Sequence, residues 1–242
     1  MISTGSAFRE PFEHYAEMLT SMHEKRERLV KASRDVTIYS KKVIFQVHRL
    51  NAKNKNSVLE QAEKDLLNVK LEHVTRVIKD LQGLDFWKFR RAYSPGMQEY
   101  VEAAAFLEFC KNGRLLTLED LNKSFTGLKD ASNNDFRLNL MDYLLGVGDL
   151  TGELMRLAIS NVTEGETESA KSICSFVRSL YISLSLISQE VDDSWEMKQK
   201  MDTMLQSLMK IENTCYTVHV RGSEYFPSAD FDSIDGRQVE EG

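Results

Sequence analysis

The sequence predicts an all-α protein, a bundle of about six to seven long helices. Its 242 residues include only three prolines, Pro11, Pro95 and Pro227, leaving two long proline-free runs. An average soluble protein has about one proline in twenty residues, and proline breaks helix interiors, so the depletion favours long helices. Strand signals are weak, because Asn112-Gly113 and Asp235-Gly236 do not stand between alternating runs. No short-period repeat interrupts the pattern, and the length suits one large helical domain over residues 12–224.

Each element follows in turn. The first helix is expected from about Phe12 to Leu50, ending in Asn51-Ala-Lys-Asn-Lys-Asn56. Ser57 and Glu60 have capping-box spacing, which places a second helix from Ser57 to about Leu81. Gly83 to Ser94 reads as a connector with one helical turn at most. Pro95 suits a first helical turn, so the third helix runs from there to about Cys110, stopped by Asn112-Gly113. Thr117-Leu-Glu-Asp120 caps a short helix, and the polar stretch Gly127 to Asp135 is an internal loop. Longer helices are expected at about Phe136–Asn161, Ser169–Ile187 and Ser194–Arg221. In Phe136–Asn161, apolar residues from Leu138 to Leu157 surround the axis, a pattern that predicts burial against partner subunits. Residues 1–11 read as a flexible start and residues 225–242 as a disordered acidic tail.

Composition excludes several classes. Thirty-one Lys and Arg against 37 Asp and Glu leave a net charge of −6, so no general basic field draws the chain to polyanions. No stretch approaches the roughly 20 apolar residues of a membrane span, and the N-terminus has no apolar leader pattern. The chain is therefore expected to be soluble and cytoplasmic, without a membrane partner. Cys110, Cys174 and Cys215 are odd in number and far apart in sequence, and read as reduced, buried thiols.

Two acidic pairs on apolar helices carry the chemistry. Glu99 and Glu102 are three apart, Asp149 and Glu153 four apart, so each pair shares a helix face. Gly146, Gly148 and Gly152 thin the second of these helices and allow a backbone to approach. Each costs about 1 kcal/mol relative to alanine, so something should offset them. Four carboxylates without histidine suit a hard cation, Mg²⁺ or Mn²⁺, rather than zinc. A ferritin-like di-iron centre would need Glu-x-x-His, which no histidine here satisfies. Ordinary charge pairing on helix surfaces is the competing reading, with Arg156 one turn from Glu153 as a ready partner.

A basic stripe is the second candidate. Lys31, Arg34, Lys41 and His48 follow at spacings of three, seven and seven, widened by Lys42 and Arg49. The connector adds Lys88, Arg90 and Arg91, interleaved with Trp87 and Phe89. Cations for phosphate beside aromatics for base stacking suit a single-stranded nucleic acid. A solvated helix face and aromatic core anchors explain the same residues without a ligand.

Four segments then resemble the translin family, and within it the translin-associated factor X (Trax) branch. They are Glu27-Arg-Leu-Val-Lys-Ala-Ser-Arg-Asp-Val-Thr-Ile38, Met97-Gln-Glu-Tyr-Val-Glu-Ala103, Asp142-Tyr-Leu-Leu-Gly-Val-Gly-Asp-Leu-Thr-Gly-Glu-Leu-Met-Arg156 and the closing Lys210 to Glu224. Translin shares part of these but lacks the complete acidic set, whereas Glu99, Glu102, Asp149 and Glu153 all match the Trax pattern. The resemblance implies assembly with translin into a hollow, barrel-like hetero-octamer. It implies an Mg²⁺-dependent endoribonuclease acting on single-stranded or nicked small RNA, in passenger-strand removal during RISC activation and in tRNA fragment processing. Glu102 and Glu153 would be direct metal ligands, completed by Glu99 and Asp149. Single-stranded DNA would be a second ligand, and a nuclear pool would depend on a partner. Phe89-Arg-Arg-Ala92 is similar to a family Phe-His-Arg-Ala segment, with Arg90 in place of histidine. Two departures from the family are a short loop before Arg137 and the loss of an acidic residue after Tyr181. A non-catalytic subunit that stabilises translin and binds nucleic acid or regulatory proteins is the alternative.

The acidity is also uneven. The tail from residue 225 holds five acids and one base, and the four site carboxylates more than account for the remaining excess. The rest of the chain is mildly basic.

Overall fold

The computed structural model describes residues 8–51, 53–188 and 195–224, with side chains placed up to residue 220. Expectations for residues 1–7 and for the tail lie outside it. All regular structure among the described residues is helical, apart from an isolated bridge between Lys129 and Asp135 in the polar loop.

Helix α1 (Arg9–Val47) is about 58 Å long at 1.5 Å per residue. Leu29, Ala32, Ser33, Val36, Ser40, Val43, Ile44 and Val47 line its buried face, spaced one helical turn apart. Upstream, Phe12, Tyr15, Met18 and Leu19 stay exposed, so the helix extends past the core of its own chain.

Helix α2 (Lys55–Asn68) passes through a π-helical turn (Val69–Val74) into α3 (Thr75–Asp80). The capping box expected at Ser57 does not form. Asn51 Oδ1 instead accepts from the N–H groups of Lys53 and Asn54, and Asn54 Oδ1 accepts from Asn51 N–H. That double asparagine turn starts the helix earlier, and the Ser57 hydroxyl turns back to the Asn54 carbonyl at 3.0 Å.

The connector holds the single turn α4 (Asp85–Lys88), and α5 (Arg90–Asn112) begins before Pro95, not at it. Pro95 removes one helical donor, and Ser33 of α1 bonds the backbone on either side of it. Its Oγ donates to the Tyr93 carbonyl (3.1 Å) and accepts from Gly96 N–H (3.0 Å). Gly96 allows that approach, since a Cβ there would stand 2.6 Å from the Ser33 carbonyl oxygen. Gly113, at φ 68°, ends the helix as Asn112-Gly113 predicts.

The capping box at Thr117 forms as expected and opens α6 (Leu118–Ser124). In the loop that follows, Asp130 Oδ1 accepts from Ser132 and Asn134 N–H groups, with Asn133 in the left-handed region.

Helix α7 (Leu140–Thr163) is capped by Asn139 and precedes α8 (Thr167–Ser188) and α9 (Trp195–Glu224). Leu144, Leu145, Val147, Leu150 and Leu154 of α7 are buried by the chain itself, because α5, α8 and α9 all pack on α7. Much of the all-round apolar pattern is therefore covered within the chain, while Leu140 and Ile159 of the same helix stay 54% and 37% exposed. Helix α8 reaches the length and apolarity of a membrane span by composition. Its buried residues, Ala170, Ile173, Cys174, Val177, Leu180 and Leu184, nevertheless form one face against its neighbours, as in an amphipathic core helix. Cys174 and Cys215 are free thiols hydrogen-bonded to one another between α8 and α9, a neighbourhood their sequence separation hides.

Candidate functional site

Helices α5 and α7 bring both acidic pairs to one place because Gly146 lets them touch. A Cβ on Gly146 would lie 2.7 Å from the Gln98 carbonyl oxygen and from Val101 Cβ, so only glycine permits this spacing. Gly148 has a different duty. A Cβ there would fall 2.4 Å from Lys200 Cγ, so the glycine seats the stem of a lysine from α9. Gly152 faces open space, and among the described residues no backbone approaches it, which corrects the shared role expected for the three glycines.

Glu102 and Glu153 are buried, at 7% and 6% exposure, while Glu99 and Asp149 are half-buried. Each of three carboxylates meets a cationic or histidine side chain. Lys41 Nζ lies 3.0 Å from Glu99 Oε1, and Lys200 Nζ lies 2.6 Å from Asp149 Oδ1. His48 Nε2 donates to Glu153 Oε2 at 2.6 Å, and Arg156 bonds its other oxygen, as its position one turn away predicts. The His48 ring also packs 4.6 Å from that of Phe106.

Glu102 is the exception. Burial first, then repulsion from Asp149, Glu99 and Glu153, pushes its carboxyl up to about 9, and it hydrogen-bonds Glu153. Burial raises Glu99 as well, against the pull of Lys41. Glu153 goes the other way: burial opposes its charge, but His48 and Arg156 together hold it below the usual carboxylate range. Charge is thus unevenly divided over a cluster whose members all feel one another.

The donor set is oxygen only, and Glu99 Oε2 is buried without a hydrogen-bond partner. Both facts fit a hard divalent cation, whose charge would relieve the repulsion at Glu102. Among the described residues no three acidic, histidine or cysteine side chains already stand in metal-binding geometry. The cations now engaged with Glu99, Asp149 and Glu153 occupy that role.

The basic stripe does not act as one surface. Lys41 and His48 reach the carboxylates, whereas Lys31 and Arg34 stay exposed farther up α1. Lys42 lies over the Tyr39 ring and Arg49 over the Phe45 ring, each at 4.4 Å. Lys88 sits beside Met22 and Phe89. Of the connector aromatics, Phe89 is a core anchor and Trp87 is exposed.

Arg90 pairs at 3.1 Å with Asp142, which is 1% exposed and also bonded by Ser94. Burial raises the Asp142 carboxyl, against the hydrogen bond from Ser94 and the charge of Arg90. Arg91 lines a cleft of about 330 Å³ between the start of α5 and α9, together with Arg90, Gln98, Glu196, Gln199 and Lys200. Sequence reasoning missed Lys200, Asp142 and Ser94. Asp142 stood in plain view at the head of its motif, but Lys200 carries no local signal, since only Gly148, 52 positions upstream, marks its seat.

A helical bundle carrying paired carboxylates on two glycine-coupled helices has known relatives. The Translin family sequence pattern matches residues 24–222, and the chain belongs to that family. Translin-associated protein X of Mus musculus is 38% identical over 231 residues, covering 88% of this chain and 79% of its own length. The Translin-associated protein X homolog of Schizosaccharomyces pombe is 29% identical over 89% of this chain and 90% of its own. Translin of Homo sapiens is 25% identical over 62% of this chain and 64% of its own length. Among solved structures, AfC3PO in complex with duplex RNA matches with a TM-score of 0.63 at 20% identity, covering 87% of this chain and 97% of that one. Apo-NeC3PO matches at 0.59 and 22% identity, covering 90% and 98%. At these identities the structural matches establish the fold.

Proposed function

We propose that this chain is the catalytic subunit of a translin–Trax complex, an Mg²⁺-dependent endoribonuclease acting on single-stranded or nicked small RNA. Family membership and the likeness to Translin-associated protein X support the partnership with translin. The fold shared with an RNA-bound C3PO structure supports assembly into a hollow hetero-octamer around RNA. One observation carries the catalytic role: four carboxylates from α5 and α7 converge on one place, where burial first and repulsion from Asp149, Glu99 and Glu153 second push the Glu102 carboxyl up to about 9. A structural ion-pair network has no need of a fourth, unpaired carboxyl at its centre.

Glu102 and Glu153 would hold the cation, with Glu99 and Asp149 beside them. Bound there, Mg²⁺ or Mn²⁺ supplies an activated water and positive charge against an RNA phosphodiester. The chain's own residues set the rest. His48, its ring packed on Phe106, and Arg156 fix the Glu153 carboxylate, whose burial limits water around it. Lys41 and Lys200 stand on either flank, positioned to offset phosphate charge. Passenger-strand removal and tRNA fragment processing are the biological roles this reading entails, in the cytoplasm and in a partner-dependent nuclear pool.

The test is Glu102→Ala in the complex reconstituted with translin. Mg²⁺-dependent cleavage should vanish while assembly and RNA binding persist, and undiminished cleavage would sink the assignment. The second reading, a non-catalytic subunit, draws on the cations already paired with Glu99, Asp149 and Glu153. It predicts RNA retardation in a gel and no cleavage when Mg²⁺ replaces chelator.

A further inference from the structure

We propose that the cleft between the start of α5 and α9 seats a phosphate, with its nucleoside, of the RNA strand whose neighbouring linkage is cut, and that Lys200 and Arg91 hold that phosphate. The inference rests on the catalytic reading above and extends it to residues outside the carboxylate set.

Three observations carry it. First, the cleft is a cationic niche of nucleotide dimensions: about 330 Å³, with Arg90, Arg91 and Lys200 on its walls against one exposed carboxylate, Glu196. Arg90 is committed to buried Asp142, but Arg91 is exposed, with no ion pair among the described residues. Second, the niche is contiguous with the carboxylates. Gln98 precedes Glu99 on α5, and Lys200 lines the cleft while its ammonium lies 2.6 Å from Asp149 Oδ1. An ammonium carries three donors, so the bond to Asp149 leaves others for a phosphate oxygen. Third, Lys200 is held in place. Its side chain is 20% exposed, and its stem lies in the groove left by Gly148, which accounts for one glycine that otherwise weakens α7. The Gln199 amide on the same walls offers donors and an acceptor to the sugar or base, and Gln98, whose Nε2 donates to Ser94 Oγ at 2.9 Å, offers its carbonyl oxygen. A guanidinium, a braced ammonium and two amides around one niche match a phosphate with its nucleoside better than an apolar ligand.

The experiment uses the full chain in complex with translin. In Mg²⁺, Lys200→Met and Arg91→Met should each raise KM for a short single-stranded RNA about tenfold, the size of one charge-assisted hydrogen bond, and for Arg91→Met, which touches none of the four carboxylates, kcat should be nearly unchanged. Lys200→Arg should recover most of the loss. Gly148→Ala is the second variant: the added methyl would overlap the Lys200 stem, 2.4 Å from its Cγ, while Met204 Sδ lies at an ordinary contact distance of 3.5 Å, so Lys200 is displaced and KM rises likewise. A readout independent of catalysis is photocrosslinking of 4-thiouridine RNA in chelator, which should label the α9 segment containing Lys200. Loss of that label in Lys200→Met, with the complex intact, supports the cleft even if the wild-type complex cuts no RNA, and in that event only the nuclease reading falls. Unchanged KM in all variants, or labelling confined to other segments while cleavage proceeds, overturns the cleft and leaves the nuclease reading standing.

Discussion

Glu102 binds its proton in the folded, metal-free protein up to about pH 9, but near 4.5 in an ordinary exposed setting. Between those values the folded state holds more protons than the unfolded chain, so stability falls as pH rises through the window. Replacing the group with an uncharged isostere removes that slope. In chelator, the melting temperature of Glu102→Gln should therefore gain on wild type as pH increases from about 6 to about 9; parallel curves would contradict the shared repulsion. Cation binding must expel the same proton, so Mg²⁺ affinity should rise over this range. Arg90 tests a different kind of charge. Removing it leaves Asp142 buried with only the neutral donors Ser94 and Gln98 beside it among the described residues, and Arg90→Met should cost about 3 kcal/mol in chemical denaturation. The sequence carried the four carboxylates and Arg156 plainly, because helical spacing at three and four is enough to place them on common faces. It could not reveal that Lys41 and His48, read as RNA contacts, turn to Glu99 and Glu153, since that depends on how α1 lies against α5 and α7.

At the level of elements, the three glycines of α7 behave differently and can be separated by alanine. Gly146→Ala forces a methyl onto the Gln98 carbonyl and Val101, and should destabilise by about 1–3 kcal/mol as overpacking. Gly152→Ala meets nothing among the described residues, and should stabilise by about 1 kcal/mol through helix propensity. Denaturant titration of the two variants checks both signs. Element boundaries followed the clarity of their local chemistry. Thr117 with Asp120 and Asn112-Gly113 were readable because the capping atoms belong to adjacent residues. The start of α5 was not, because a proline that resembles a first-turn residue is accommodated inside the helix by Ser33, which lies 62 positions away. The π turn at Val69–Val74, where Thr75 bonds the Lys70 carbonyl, likewise left no periodicity signal.

For the whole molecule, the helical class and the long-helix architecture were legible because proline depletion is a property of the entire chain. The sequence pattern of α7 could not divide its burial between its own chain, which covers Leu144 to Leu154, and a partner, because periodicity reports that a face is covered and says nothing of which chain covers it. Apolar surface does remain at the start of α1, where Phe12, Tyr15 and Leu19 are 51–67% exposed. Expressed without translin, the chain should therefore self-associate, and Phe12→Glu with Leu19→Glu should shift it to smaller species in light scattering. A wild-type monomer at high concentration would refute this.

The seating of Lys200 on Gly148 has a temporal meaning as well. A ribosome delivers α1, α5 and α7, with all four carboxylates, before α9 exists. Until the final helix docks, Asp149 lacks its ammonium and the cleft lacks one wall. The acidic centre is thus finished by a helix synthesised after all four carboxylates, and a chain truncated before α9 would carry the carboxylates without the device that places RNA beside them.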